Sequence, residues 1–198
     1  MNNNNIKRHT GFTIIETMIT VSLFIIITTI GLNSLLNANL LHQKSRDMRS
    51  IMDNLSFIME DISTNLRTGY DYRCFETSDT IAIGIPKDCV SGGWAIAFKP
   101  QSYPEDSQEW VYKTETNSID SSKFNILKST DSGATFIQLN PNEVGLDSSD
   151  IFTVIGAEPP PDHQQPFVTI KLTGKITFKN VDTPFSLQTS ISQRNIDI

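Results

Sequence analysis

A long apolar run near the amino terminus dominates the pattern of the 198-residue chain. Between Phe12 and Leu36 the only charged residue is Glu16. A helix rises about 1.5 Å per residue, so about 20 apolar residues cross a hydrocarbon core about 30 Å thick. The Ser and Thr residues of the run are compatible with lipid, because their hydroxyls can bond back to the helix backbone. The run therefore predicts a membrane-spanning helix.

Beyond the run, the apolar residues follow an amphipathic helical pattern. They recur at steps of three and four, as Ile51, Leu55 and Ile58 do, while the opposite face is polar and charged. This spacing is typical of a helix that packs one side on a folded domain. No Pro interrupts residues 12–69, and Gly69 is a helix stop signal. We expect one helix of about 55 residues, whose second part lies against a head.

From residue 70 onward the pattern becomes that of β-strands. Short apolar or alternating segments are separated by turn residues and by a Pro-rich loop at 156–166. The turn signal Asp131-Ser132-Gly133 predicts a hairpin. The expected strands are Thr80–Ile85, Trp94–Phe98, Trp110–Lys113, Phe124–Lys128, Thr135–Leu139, Ile151–Ile155, Phe167–Lys179 with a break at Gly174, and Phe185–Ile191.

These patterns together predict an α+β fold. One long N-terminal α-helix, membrane-spanning in its first half, packs against an antiparallel β-sheet head. The expected divisions are a short polar segment at 1–11, a membrane helix at 12–36, its amphipathic continuation at 37–69 and a β-rich globular head at 70–198.

Charge disfavours one class of function and orients the membrane helix. The chain carries 16 Lys and Arg against 22 Asp and Glu, for a net charge of -6. Without a clustered basic surface, the head is not expected to bind nucleic acid. Lys7 and Arg8 precede the apolar run, and positive flanks stay cytoplasmic, so we expect the head outside the cytoplasmic membrane.

Residues that carry chemistry form no catalytic or metal-binding pattern in the sequence. The three His residues are scattered, and no nucleophile elbow, Walker, Rossmann or zinc-protease motif occurs. We therefore expect no enzyme activity, no cofactor and no metal. Glu143, Asp147 and Asp150 share an acidic loop, but their spacing matches no EF-hand, and we favour a solvated loop over a calcium site.

Cys74 and Cys89 flank the first expected strand of the head. Disulfides persist on the outer side of the membrane, where the head is expected. A bridge that closes a loop this short contributes about 3 kcal/mol in the chain-entropy model. We expect a disulfide between them, with two buried thiols as the alternative.

The residues around position 11 form the most specific local pattern in the chain. Lys-Arg-His-Thr at 7–10 precedes Gly11, and Phe-Thr-Ile-Ile-Glu at 12–16 follows it. This pattern resembles the class III leader of type IV pilins and type II secretion pseudopilins, and the likeness is strong over residues 6–36. Residues 185–195 resemble, less specifically, the last strand of minor pilins and of the larger minor pseudopilins.

The resemblance implies a pilin-like fold and a defined processing step. A membrane prepilin peptidase would read a leader carrying Lys7 and Arg8, cut after Gly11 and N-methylate Phe12. Glu16 would aid subunit docking. The implied partners are the inner membrane, the peptidase, other pilin or pseudopilin subunits and the filament assembly platform. The single-pass protein would leave the inner membrane for a cell-surface or periplasmic filament.

The position of Glu16 has a physical explanation in the same scheme. A lone carboxylate near hydrocarbon costs about 3 kcal/mol or more, so it requires a partner. A cut after Gly11 creates an α-amine on Phe12, which cannot easily reach Glu16 one turn along its own rigid helix. A neighbouring copy shifted along the axis can present that amine. Repetition of such a head-to-tail contact gives a filament.

The sequence thus indicates a non-catalytic structural subunit of a type IV filament system. The elaborate head favours a minor pilin or pseudopilin, in filament initiation or at the tip. One alternative is a filament-displayed adhesin, receptor or DNA-uptake subunit, although loss of the two leader cations lowers the net charge from -6 to -8. Another alternative is a lone signal-anchored surface protein. The length of the apolar run disfavours a cleaved secretory signal.

Processing after Gly11 predicts a defined amino terminus. Mass spectrometry of the membrane-extracted protein should find a chain that begins with N-methylated Phe12. Replacement of Gly11 by a bulky residue should leave the full-length precursor in the membrane, whereas Gly11→Ala should slow processing only modestly because Ala is nearly as small. An intact Met1 on the wild-type protein would contradict the prediction.

Overall fold

The computed structural model describes residues 11–76, 79–81, 84–101, 108–118, 120–159, 164–178 and 181–194, which form one α-helix and ten β-strands. The chain divides into two compact units between Asp47 and Met48. The predicted α+β class is confirmed, since a long N-terminal helix is followed by an antiparallel sheet.

The helix, α1, spans Ile14–Thr68 and has the predicted length of 55 residues. It continues unbroken through Gly31. At its end, the Gly69 N–H donates to the Asn65 carbonyl at 3.0 Å, so the helix ends where the sequence predicts. A side chain at Gly69 would collide with the Phe98 ring, which explains the requirement for Gly.

Within the first unit, α1 has exposed apolar side chains on all sides. The large apolar residues from Phe12 to Leu41 are between 54% and 82% exposed. Their polar neighbours are satisfied locally, as predicted. Hydroxyls donate to carbonyls three or four residues earlier at Thr17, Thr20, Ser22, Thr28 and Thr29.

Within the second unit, α1 buries one stripe against the sheet. Each fully buried aliphatic side chain there contributes roughly 1.5–3 kcal/mol. Leu40 and Leu41 continue the same spacing in sequence, but they belong to the first unit and are exposed. The buried stripe consists of Ile51, Leu55, Ile58, Met59, Ile62 and Leu66.

The ten strands form one antiparallel sheet with short connections. β9 pairs with β10 along all twelve residues, so β7 and β8 share its other edge. The strands are β1 Tyr70–Phe75, β2 Cys89–Gly93, β3 Ala95–Lys99, β4 Trp110–Thr116, β5 Phe124–Ser129, β6 Ile137–Gln138, β7 Val144–Leu146, β8 Phe152–Ile155, β9 Phe167–Phe178 and β10 Val181–Ser192.

The neighbour order of the sheet begins at β1 and ends at β2, and these two end strands lie next to each other. The neighbour order β1-β3-β4-β5-β7-β9-β8-β2 links eight strands. Lys87, just before β2, bridges to Arg73 of β1, and its N–H donates to the Tyr72 carbonyl at 3.2 Å. A disulfide between Cys74 and Cys89 joins the same two strands. The helix stripe and most of the inward side chains of these strands form the main core.

A polar cluster holds α1 in a fixed orientation on the sheet. The Tyr112 hydroxyl donates to Asp61 at 2.9 Å, and Lys128 pairs with the same carboxylate at 2.9 Å. Asn65 donates to the Tyr112 oxygen at 2.9 Å. Burial, reinforced by the Asp61 charge, raises the pKa of Tyr112 well above its ordinary value. The hydroxyl therefore remains protonated and keeps its role as donor.

The expected strand Thr80–Ile85 is wrong, because the described residues at 79–81 and 84–86 are not in a strand. One apolar residue of this segment has another role. Ile81 packs on a small second core that contains Phe75 and Val111. β1 was not predicted, because it carries the charged residue Arg73. This side chain is buried and forms an ion pair with Glu109.

The predicted break at Gly174 is also wrong, since β9 runs through it without interruption. A Cβ at this position would collide with the Gly145 carbonyl oxygen of β7. Gly174 therefore allows the backbone of the neighbouring strand to approach closely. β7 itself lies inside the segment expected to be an acidic loop.

The predicted hairpin is present, and its turn is built around Asp131. Ser132 and Gly133 adopt the left-handed conformation, with φ of 58° and 84°. The Ser129 hydroxyl donates to Asp131 at 2.6 Å, and the Thr135 hydroxyl donates at 2.6 Å. These bonds, that from Ser129 first, lower the pKa of the Asp131 carboxyl to about 2.

The bridge between β1 and β2 predicts a loss of stability in Cys74→Ser. The variant should lower the free energy of unfolding of the head by about 2–5 kcal/mol, because the sheet closure loses its covalent tie. Denaturant unfolding of the detergent-solubilised chain measures this loss. Wild-type protein under reducing conditions should match the variant, and a wild-type stability indifferent to reductant would contradict the prediction.

The depressed pKa of Asp131 predicts an acid-dependent contribution to stability. Stabilisation by the ionised carboxylate is fully present above its ordinary pKa of 3.8 and is lost as the pH falls through about 2. Asp131→Asn should therefore be less stable than wild type at pH 5, and the two proteins should converge near pH 2. A difference that stays constant over this range, in thermal unfolding monitored by circular dichroism, would refute the assignment.

Candidate functional site

The start of α1 gathers the residues that the sequence singles out. Thr13 lies immediately before the helix, and its hydroxyl accepts the Glu16 N–H at 3.3 Å. The Thr17 N–H donates to the Thr13 carbonyl at 3.2 Å, which makes Thr13 the N-cap. Thr and Glu three residues apart are typical of a capping box. The sequence contained this signal, but the interpretation of Glu16 as a docking charge overlooked it.

The Gly11–Phe12 peptide bond precedes the cap and is open to solvent. Both residues are exposed, Phe12 to 80%. Within the described part of the chain, nothing lies within 4 Å of the point where a Cβ on Gly11 would stand. The fold itself therefore has no need of Gly at position 11.

Glu16 occupies the first turn of α1 and is exposed. The positive end of the helix dipole favours a carboxylate at this place. Among the residues that the structure describes, its carboxylate forms neither an ion pair nor a side-chain hydrogen bond. Lys7 and Arg8 lie outside the described residues. Glu16 thus remains available to a positive group from another molecule.

The helix that carries this site is the one described helix long and apolar enough to cross a membrane. Its apolar surface begins at Phe12, directly at the cap, and Glu16 lies inside it. The site therefore combines an accessible peptide bond, a capped helix start and an unpaired carboxylate on an apolar surface.

The other predicted site residues lie in the head and have structural partners. Cys74 and Cys89 are buried and joined in a disulfide, with their Cα atoms 5.6 Å apart. Asp147 of the acidic loop pairs with Lys123. In the described ranges no three His, Cys, Asp or Glu side chains come together as a metal site. The structure does not bring Glu143, Asp147 and Asp150 together in such a group.

The head also contains an open polar groove of about 610 Å³. Charges of both signs line it, including Asp120 and Glu143 on one hand and Lys123 and Lys175 on the other. Hydrogen bonds from the Ser122 hydroxyl and amide lower the pKa of Asp120. The lining contains neither Cys nor His, and its two hydroxyls both donate to carboxylates, Ser122 to Asp120 and Thr177 to Asp182.

The chain matches no family model, and neither curated proteins nor solved structures give a significant match. Function therefore has to be inferred from the residues at the start of α1 and from the surface of that helix.

Proposed function

We propose that this chain is a non-catalytic structural subunit of a type IV filament system, a minor pilin or pseudopilin. The observation that carries the proposal is the arrangement at the start of α1. An exposed Gly11–Phe12 bond lies just ahead of a capped helix, and an unpaired Glu16 lies on its apolar surface. The leader pattern at residues 7–16 supports the same interpretation.

The first step is insertion and processing. The apolar helix enters the inner membrane, and Lys7 and Arg8 remain on the cytoplasmic side. A prepilin peptidase then cuts after Gly11 and methylates the new amino terminus of Phe12. Since Thr13 caps the helix from within the mature chain, the cut removes none of the capping contacts.

The second step is assembly through the apolar helix. The amine of Phe12 in one subunit neutralises Glu16 of its neighbour, and each added subunit repeats the contact head to tail. In a low-dielectric setting this charge-assisted pair is stronger than it would be in water. Helix packing then covers the apolar surface that lipid covered before assembly. Other pilin-like subunits and the assembly platform are the partners that this step requires.

The head remains outside the membrane and displays its loops. Its sheet is tied by the Cys74–Cys89 disulfide, which suits an oxidising compartment. Ten strands make the head elaborate, and this favours a minor subunit that begins or caps the fibre over a major one.

A lone signal-anchored protein is the second candidate, and the capping geometry favours it. A carboxylate at this position has a purpose even in a solitary helix, because it can accept the Thr13 N–H of a capping box, a bond that the described structure does not contain. The two candidates therefore assign different roles to the same carboxylate. Gln can replace Glu in a capping box but carries no charge, so it separates the two roles.

Glu16→Gln should be processed normally but should enter filaments about tenfold less efficiently, because the charge-assisted contact with the neighbouring amine is lost. Glu16→Ala should behave in the same way. The measurement is the fraction of subunit in sheared filaments relative to membranes, together with the mass of the amino terminus. Thr13→Val is the matched control, since it removes the cap and keeps the charge, and it should incorporate far better than Glu16→Gln.

Normal incorporation of processed Glu16→Gln would remove the ion-pair account of this residue. A defect in Thr13→Val and Glu16→Ala, with Glu16→Gln like wild type, would assign Glu16 to the cap. An unprocessed wild-type protein that remains solitary in the membrane would establish the lone anchor.

A further inference from the structure

The last strand of the head, β10, lies at a free edge of the sheet. It pairs with β9 along all twelve of its residues and has no second neighbour among the described strands. β6 also pairs with one strand, but it spans only Ile137–Gln138. Along a free edge, every second residue directs its N–H and C=O groups away from the sheet. β10 therefore presents a long row of backbone donors and acceptors.

Two hydrogen bonds show which residues of β10 face this edge. The Gln193 N–H donates to the Pro166 carbonyl at 3.1 Å, on the side of β9. The N–H of the next residue, Arg194, points the other way and donates to the Arg67 carbonyl of α1 at 2.9 Å. Within the described part of the chain, the edge-facing backbone groups that precede Arg194 in β10 have no hydrogen-bond partner. By alternation, the edge-facing residues are Ser186, Gln188, Ser190 and Ser192.

This stretch of edge lacks the features that usually protect an edge strand. Charged side chains, Pro, bulges and short length are the common means of preventing a second strand from pairing. Pro184 protects one end of β10, since it has no N–H to donate. From Phe185 to Ser192 the strand contains no charge, no Pro and no Gly, and its register with β9 is unbroken. Another strand can therefore pair along this part of the edge.

A groove of about 180 Å³ lies between α1 and the middle of β10. Its lining includes the apolar side chains of Met59 and Leu187 together with Gln188 of the edge and Glu60 of α1. Glu60 is exposed and forms no ion pair with another described residue. A strand added to β10 would lie about 4.8 Å beyond it, and every second side chain of that strand would face the groove.

We infer that β10 binds an extended segment of a different subunit of the filament, as an added antiparallel strand. This inference rests on the proposed function and names the kind of contact that the head makes. Hydrogen bonds with the edge-facing residues supply affinity, and the groove selects side chains. The groove fits an aliphatic side chain over Met59 and Leu187, and a Lys or Arg at the next position of the same face, beside Glu60.

A second copy of β10 does not complement this site. Its residues 185–192 are uncharged, so it would leave Glu60 without a cation. A subunit that begins or caps a fibre, as proposed, also meets subunits of other kinds. The bonds of Asp61 to Tyr112 and Lys128 hold α1 on the sheet, so the groove is formed before the partner arrives. Little order has to be gained on docking within the head, which favours binding.

Proline substitution tests the backbone contact in the full chain. Gln188→Pro removes one edge-facing N–H, and Pro184 shows that β10 accommodates Pro at an equivalent position. The variant should be processed normally but should enter filaments about fivefold less efficiently, because a hydrogen bond to the partner is lost. Gln188→Ala is the matched control, since it removes the side-chain amide and keeps the N–H, and it should incorporate like wild type.

Charge reversal in the groove provides a second variant that leaves the strand unchanged. Glu60→Lys should lower incorporation by about threefold, because it places a positive charge beside the cation of the partner. Asp53→Lys is its control, since Asp53 is an exposed carboxylate of α1 outside the groove, and it should incorporate like wild type. All four variants should match wild type in thermal unfolding of the head. Equal incorporation of each variant and its control would overturn the inference.

Peptide binding to the detergent-solubilised full chain provides an independent measurement. The probe is a short fluorescein-labelled peptide of alternating Thr and Val, with Lys in place of one central Val. Its control is the same peptide N-methylated at the Thr residues, whose N–H groups would face β10 in an antiparallel pairing. The unmethylated peptide should bind about tenfold more tightly in fluorescence anisotropy, because only it can donate to the edge. Equal binding of the two peptides, or binding of neither, would overturn the inference.

Failure of this contact differs from failure of the proposed function. Filaments that contain processed chain and depend on Glu16, but incorporate Gln188→Pro like wild type, would retain the proposed function and remove the inference. A dimer of the wild-type chain that Gln188→Pro abolishes would make a second copy the occupant and would also overturn the inference. A solitary, unprocessed chain would remove both, since no filament subunit would then be its partner.

Discussion

The exposed apolar surface of α1 is the constraint on which the rest of this structure depends. Large aliphatic and aromatic side chains face outward on every side from Phe12 to Leu41. Burial of each is worth roughly 1.5–3 kcal/mol, so lipid or other helices have to cover this surface. The hydroxyls along this surface donate to carbonyls of the helix itself, which lowers the free-energy cost of burying them. One carboxylate, Glu16, lies on this surface without a protein partner among the described residues, and under the proposed function it sets what the helix packs against.

A single helix serves two environments because its pattern changes along its length. Before Asp47 the apolar residues surround the axis, whereas after Met48 they narrow to a stripe that completes the core of the head. The outward side of that second part is then free for charges and for Phe57. Asp61 keeps the apolar stripe of this second part turned towards the sheet, because rotation of the helix would break the bonds of Asp61 to Tyr112 and Lys128.

Long, strongly periodic segments could be predicted from the sequence, and irregular ones could not. The 3.6-residue spacing predicted α1 almost to the residue, and alternation predicted β9, apart from a false break at Gly174, and the Phe185–Ile191 part of β10. β1, β2 and β7 were missed. Arg73 hides the first, the second ends in Ser-Gly-Gly and has no apolar alternation, and acidic neighbours hide the third. At the candidate site, sequence could identify Gly11, Phe12 and Glu16 by pattern. The capping role of Thr13 required knowledge of where the helix begins.

The capping geometry has a consequence for the timing of maturation. Thr13 secures the first turn with atoms that lie wholly on the carboxyl side of the Gly11–Phe12 bond. Under the proposed processing, removal of the preceding residues would therefore leave the capping contacts of the first turn intact. The cut would create an ammonium group at the positive end of its own helix, where a positive charge is electrostatically unfavourable. Under the proposed function, a processed subunit would thus remain in the bilayer with an unfavourable charge at its amino terminus. Only contact with a negative group of another molecule would neutralise that charge.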